Sequence, residues 1–399
     1  MSLDFQQVFN KIKEIAAREK DYQKNLKIRR AETIDLLNEY AGQLDQLYRK
    51  VELIVAHHDA NLRSASPVTE RLDTHLTNPE VSIRPVIIAV DGSQIVPSRH
   101  DAIFYGLVNA GAILLKPDAD QAPEIFTKSE LLFGEEARSK DGYLLSEGAI
   151  ALKRDALERK ILLDLAKQAD KPVVAFTDGP VELWGSKDPG NAGSYAKHLD
   201  EYLDNLVALQ NSSVIFSGYV DKPGADLVIR LLEIAITPEN ELSEIRSRHP
   251  LRGVTDRWLF SKILGAGERS AIFSLQSSSR ADYVDRSEKI TTHFFYLNSG
   301  DEKYPAIARI EIPKWVAEDA AQIDLLQGTL LQQSQLLGVK PYPYLLHRAH
   351  EIAKVSQDER KQVEMILRLE LSSAEIEFED ESNKQFTKNL PEQRKRYSQ

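Results

Sequence analysis

From Phe5 the apolar positions Val8, Phe9, Ile12, Ile15 and Ala16 recur at three- and four-residue spacing. The rhythm returns at Leu37, Tyr40, Leu44, Leu47, Tyr48, Val51, Ile54 and Val55. A stripe this close to heptad spacing predicts helix. The polar, arginine-containing stretch from Lys20 to Arg30 between the two stripes predicts one broken helix or two helices. Together they form an N-terminal extension over residues 1–60, resting on its own domain or docking on a partner or a second copy. After a polar link from Asn61 to Glu80 the pattern changes. PVIIAVDGSQ, DAIFYGLVNAGAILL and PEIFTKSELLF read as three successive, hairpin-connected strands, because their apolar residues run together. SEGAIALKRDALERKILLDLAKQAD then predicts a helix, KPVVAFTDGP a buried strand ending in a turn, and NAGSYAKHLDEYLDNLVALQ a second helix. SSVIFSGYV follows as a fifth strand and GADLVIRLLEIAI as a third helix.

Three adjacent strands followed by alternating helix and strand is the element order of an RNase H-like fold, an α/β class with a mixed sheet. Actin-like ATPases share that core, so element order leaves both open. Further on, HFFYLNS and YPAIARIEIP predict strands. WVAEDAAQIDLLQGTLLQQSQLL, YPYLLHRAHEIAKVS and DERKQVEMILRLEL predict C-terminal helices. The expected division is therefore the helical extension, an α/β domain over residues 81–356, and a C-terminal helix with a mobile tail over residues 357–399. The tail carries an acidic run from Glu375 to Glu381 and a basic tip at Arg394, Lys395 and Arg396.

Composition narrows the class. With 42% hydrophobic and 28% charged residues the chain is globular rather than disordered or collagen-like. No run approaches the roughly 18 apolar residues of a membrane span, and the N-terminus is amphipathic rather than signal-like, which predicts a cytoplasmic protein. The absence of cysteine removes thiolate zinc sites and cysteine nucleophiles, so a metal must sit on oxygen or imidazole. A net charge of -10 argues against a protein that simply coats nucleic acid. One stretch runs the other way. Between Ile245 and Lys289, nine cationic residues (Arg246, Arg248, Arg252, Arg257, Lys262, Arg269, Arg280, Arg286 and Lys289) stand against five acidic ones. It is the best candidate for a phosphate-tracking surface, with ordinary solvated charge as the plain alternative.

Two buried strands each end in Asp-Gly, at Asp91 in VIIAVDG and Asp178 in VVAFTDG. Asp-Gly is a common turn signal, but two such strand ends can place two carboxylates together, and clustered anions call for a cation or a proton between them. Hard divalent ions take such oxygen ligands. Glu158 lies one helix before the Asp178 strand, with Arg154 as its i-4 neighbour and possible salt-bridge partner. His347 and His350, three apart on a helix, face partly the same way. No Walker A sequence, GxSxG elbow, HExxH or Rossmann glycine fingerprint is present.

The ordered set of Asp91 in IIAVDGSQ, Glu158 in KRDALE, Asp178 in FTDGP and His350 in PYPYLLHRAHEIA resembles the NurA family of nucleases, from about Val86 to Ser356. The resemblance implies an RNase H-like core and a manganese-dependent nuclease acting on single-stranded DNA and on DNA ends in the 5′ to 3′ direction. It further implies a homodimer and a HerA-type hexameric ATPase as partner in end resection and double-strand break repair. On this reading Asp91, Glu158, Asp178 and His350 are the catalytic and metal-binding residues, with manganese or magnesium as cofactor. Arg154, Arg246, Arg248, Arg252, Arg269 and Arg280 position the DNA backbone. Trp258, Phe260 and Tyr283 stack on bases or pack the core. The alternatives are an actin-like ATPase and a non-catalytic adaptor of a DNA translocase.

Overall fold

The computed structural model describes residues 3–77, 83–116, 122–139, 141–183, 192–338 and 340–376. The basic tip and all but the first residue or two of the acidic run lie outside them. The chain forms two compact units, one of Met1–Val81, Gly179–Val181 and Ser217–Tyr342, the other of Ser82–Asp178, Glu182–Phe216 and Pro343–Gln399. Among the described residues no helix is long and apolar enough to cross a membrane.

The first unit opens with α1 (Phe5–Tyr40) and α2 (Leu44–His57). The expected break between Lys20 and Arg30 does not occur. That stretch consists largely of straight-chain residues that favour helix and holds no Gly or Pro, and the chain bends instead at Ala41–Gly42–Gln43. The buried face of α2 is Leu47, Val51 and Ile54, each contributing about 1.5–3 kcal/mol by leaving water. The polar link also departs from expectation. It contains β1 (Ser64–Pro67), buried at every position, and the short β2 (His75–Leu76).

In the second unit β3 (Val86–Ile95), β4 (Tyr105–Leu115) and β5 (Glu124–Phe133) form the expected antiparallel series. α3 (Glu147–Ala166), N-capped by Ser146, leads to β6 (Val173–Asp178), which lies parallel to β3. α4 (Ala192–Asn211) follows, and β7 (Ile215–Val220) begins in this unit and from Ser217 counts with the first; the strand order is β5-β4-β3-β6-β7. An antiparallel trio whose first strand lies innermost, extended on its open side by a parallel strand, is an RNase H-like arrangement.

The chain then returns to the first unit. α5 (Leu227–Ile236) is apolar nearly all round and buried nearly all round. The basic stretch holds α6 (Asp256–Ile263), β8 (Arg269–Ser270), β9 (Phe273–Gln276) and α7 (Arg280–Arg286). β10 (Thr292–Asn298) and β11 (Ile307–Pro313) complete an antiparallel series in the order β1-β9-β10-β11. The single helix expected after β11 is two, α8 (Lys314–Ala317) and α9 (Ala320–Gln335), because Asp319 caps the second by accepting from the N–H groups of Ala321 and Gln322. α10 (Tyr344–Ala353) and α11 (Gln357–Ser373) belong again to the second unit. α11 opens on a capping box between Ser356 and Glu359, and its Val363 and Leu367 cover Ile95, Tyr105 and Leu107.

Asp256 is a polar keystone of the first unit. The carboxylate of Asp256, fully buried, accepts from the N–H groups of Val228 and Ile229 at 2.9–3.0 Å and from the Tyr296 hydroxyl at 2.6 Å, capping α5 from a neighbouring helix. Asp256→Ala strands these buried donors, and urea unfolding is expected to show a loss of about 2–4 kcal/mol.

Candidate active site

The site is built at the point where β3 loses one of its two neighbours. β3 pairs with β4 as far as Ile95↔Leu107, but with β6 only as far as Val90↔Thr177. Asp91 and Asp178 are the next residue on each strand. They therefore leave adjacent parallel strands at matching positions and on the same face, with about 5 Å between the strands. The Asp178 residue is exposed at its strand end, whereas only 13% of the Asp91 side chain is open.

Both oxygens of Asp91 are engaged. Oδ1 accepts from the N–H of Gly92 at 2.8 Å, and Oδ2 lies 2.7 Å from Nδ1 of His350. His350 reaches it because α10 lies against this face of β3 and β4. Directly opposite Asp91 in the ladder is Gly111, where a Cβ would stand 2.6 Å from the backbone N of Ala353 and 2.9 Å from the carbonyl of Ala349. No side chain fits there. The helix end is then tied down by the cross-strand pair Ser93 and Asn109, which both donate to the carbonyl of Ala353, at 2.5 and 2.7 Å. Ser129 in turn donates to Asn109 at 2.7 Å. His347 is not drawn in. It is half-exposed, with Nε2 3.6 Å from Glu351.

From the opposite face comes α3. A Cβ on Gly92 would fall 2.5 Å from Oε1 of Glu158 and 2.6 Å from Cγ of Arg154, so the missing side chain is what admits both residues to the strand edge. Glu158 is only 3% exposed. Its Oε2 lies 2.9 Å from Nη1 of Arg159, and its Oε1 lies 3.3 Å from Nε of Arg154. Arg154 also donates to Asp155 at 2.7 Å. Arg159 is buried, with its guanidinium 5.4 Å from the ring centroids of Tyr202 and Phe216. Burial, and next the charge of Asp155, push the Glu158 carboxyl up to about 8. Arg159 and Arg154 oppose that rise, and Asp91 adds to it.

The four residues singled out by sequence thus all belong to the second unit. The arginines proposed for the DNA backbone, apart from Arg154, belong to the first. Arg246 and Arg252 are exposed, Arg248 is paired with Glu241, and Arg280 donates to Ser274 at 3.4 Å. Arg269 is buried and two-pronged on Glu70, at 2.9 and 3.0 Å, so its charge is spent inside the fold rather than offered to a phosphate. Phe260 and Tyr283 are core residues, and Trp258 is half-buried beside Arg30.

Among the described residues no three histidine or acidic side chains converge as a ready-made cation cage. The donors are nonetheless of the kind a hard divalent ion takes, carboxylate oxygen with imidazole. Negative charge from Asp155 and Asp91 also acts on the buried Glu158, which is what a bound cation offsets. In chemistry the residues fit such an ion.

Strand order and strand-end carboxylates define an RNase H-like α/β protein. The sequence model of the NurA domain matches residues 85–355, well over half the chain, and the chain belongs to this family of nucleases. No curated protein matches the sequence. Among solved structures it is similar to the NurA nuclease from Sulfolobus solfataricus, with 12% identity, 84% of this chain and 97% of that one covered, and a TM-score of 0.45. The catalytic domain of human Endonuclease V is 16% identical, with 82% and 98% covered and a TM-score of 0.31. At such scores the family assignment rests on the sequence match.

Two outcomes are expected. Because the folded value of Glu158, about 8, lies above the ordinary 4.5, the folded state holds this proton more tightly. Its contribution to stability is full below about pH 4.5 and is lost as pH rises through about 8, with a slope of at most about 1.4 kcal/mol per pH unit. Urea unfolding in EDTA from pH 4 to 9 should show that decline, and Glu158→Gln should remove it. A decline of the same size in the variant would assign it to another group. Separately, Gly111→Ala is expected to cost about 1–3 kcal/mol by forcing the α10 backbone outward, read by the same unfolding method.

Proposed function

We propose that this chain is a metal-dependent deoxyribonuclease that hydrolyses phosphodiester bonds at the Asp91–Asp178 strand ends. The observation that carries the reading is the matched placement of Asp91 and Asp178 on adjacent parallel strands, with His350 on Asp91 and buried Glu158 entering from the other face, in a chain of the NurA family. Asp91 and Asp178 would hold the ion, with Glu158 and His350 as further ligands. Manganese or magnesium, once bound, would supply activation of the attacking water and offset charge on the scissile phosphate. His350, on an exposed helix face and hydrogen-bonded to Asp91, is also suited to move a proton at the leaving oxygen. Arg154, 30% exposed, is the cation within the site that can turn toward a phosphate. The solvent-facing Arg246 and Arg252, with Arg248 and Arg280, would track the backbone.

The finer reading adds 5′ to 3′ exonuclease and single-strand endonuclease activity, in DNA end resection and double-strand break repair in the cytoplasm. It includes a homodimer working beside a HerA-type hexameric ATPase. In that scheme residues 1–60 serve dimer or partner contacts, residues 81–356 form the nuclease domain, and residues 357–399 form a C-terminal helix and tail. The exposed apolar stripe of Phe5, Phe9, Ile12 and Ile15 on α1 supports a docking role.

Labelled single-stranded and blunt duplex DNA, incubated with manganese, magnesium or EDTA, tests the activity. Cleavage is expected with metal and not with EDTA, and Asp91→Asn should lower it by on the order of 10²–10³-fold or more. No cleavage in any metal, even beside the ATPase, would turn the reading to an adaptor without catalysis.

A further inference from the structure

We propose that Arg159 is a positioning residue for this nuclease: its buried guanidinium holds one oxygen of Glu158 so that the other is presented at the Asp91 strand end. The inference rests on the reading just given. Neighbours along a helix do not share a face, so Glu158 and Arg159 have no reason to meet unless both are turned inward. Here they do meet, at 2.9 Å and with 4% and 2% of their side chains open. A buried polar pair of this kind seldom adds net stability over apolar side chains of the same size, so stability alone does not account for it.

The two arginines on Glu158 are unequal. Arg154 acts on Oε1, is shared with Asp155, and is 30% exposed. Arg159 acts on Oε2 and is walled by Tyr202 of α4 and Phe216 of β7. Oε1 is the oxygen that faces Gly92, next to Asp91. When Arg154 turns to a phosphate, Oε1 is released while Oε2 stays anchored. The carboxylate therefore keeps its orientation at the moment it is needed, and Arg159 acts through Glu158 without touching substrate.

Arg159→Met, Arg159→Lys, Glu158→Gln and the double variant Glu158→Gln/Arg159→Met are compared by circular dichroism, by calorimetric titration with Mn2+, and by kcat and KM on single-stranded DNA. Arg159→Met is expected to weaken Mn2+ binding by about 10–100-fold and to lower kcat, with KM for DNA changed by less than about twofold. Arg159→Lys, which keeps the charge but not the planar fork, should recover part of the loss and still bind Mn2+ about fivefold or more weakly than the wild type. With Glu158→Gln in place, Arg159→Met should weaken Mn2+ binding no further. Wild-type affinity and kcat in folded Arg159→Met overturn the inference, as does an equal loss with or without Glu158→Gln. Should Arg159→Met fail to fold, wild-type Mn2+ binding by Arg159→Lys overturns it. A wild-type protein that binds no Mn2+ and cleaves no DNA overturns the nuclease reading itself. Loss of cleavage in Asp91→Asn with indifference to Arg159 overturns only the positioning role.

Discussion

Two missing side chains make the site possible. Gly92 and Gly111 lie on neighbouring strands beside Asp91, one following it in sequence and one opposite it in the ladder, and each clears space on a different face of the sheet. Without a Cβ at Gly111 the backbone of α10 settles against β4 and brings His350 to Asp91. Without one at Gly92 the side chains of Arg154 and Glu158 reach the strand edge from α3. A helix normally stands off a sheet by the thickness of its side chains, so such close approach depends on glycine. The sheet here is thin at one place, and functional groups from both faces meet its edge there.

The second constraint is electrostatic. A buried carboxylate with two further acids nearby costs several kcal/mol unless it is paired or protonated. The fold meets this with two arginines on Glu158 and a proton that carboxyl holds more tightly than usual, while Asp91 draws on His350 and the Gly92 amide. None of these partners is a covalent fixture, and they differ in exposure. His350 and Arg154 sit toward solvent, whereas Arg159 is sealed among aromatic rings. Asp91 and Glu158 are thus held by partners that stand toward solvent and by one, Arg159, that does not.

Much of the frame was legible in the sequence because strand ends announce themselves. VIIAVDG and VVAFTDG combine an apolar run with a carboxylate and a glycine, and their pairing put Asp91 beside Asp178 at matching positions. The trio of strands and the helices around them followed from periodicity. What stayed hidden has physical reasons. The SASP segment reads as a loop, since small polar residues carry no strand signature, yet as β1 it pairs with β9 and is buried throughout. Gly111 in LVNAGAILL carried the one usable signal, because an isolated glycine within a strand marks close backbone approach. Ser93, Asn109 and Arg159 carried none. Their work depends on partners distant in sequence, and Arg159 reads as an ordinary helix charge until α4 and β7 close over it.

The charge of the whole chain, -10, is at odds with a polyanionic substrate only if all charges count equally. At physiological salt the screening length is about 8 Å, so acidic groups far from the site contribute little, and those within it decide the local potential. There Asp91, Asp155, Asp178 and Glu158 gather beside Arg154, Arg159 and His350. On the proposed reading a hard divalent cation would add the positive charge that a phosphate needs at such an edge. A carboxylate-lined site of this kind would couple binding of the polyanion to binding of the ion, so the carboxylates would become the means of holding the DNA.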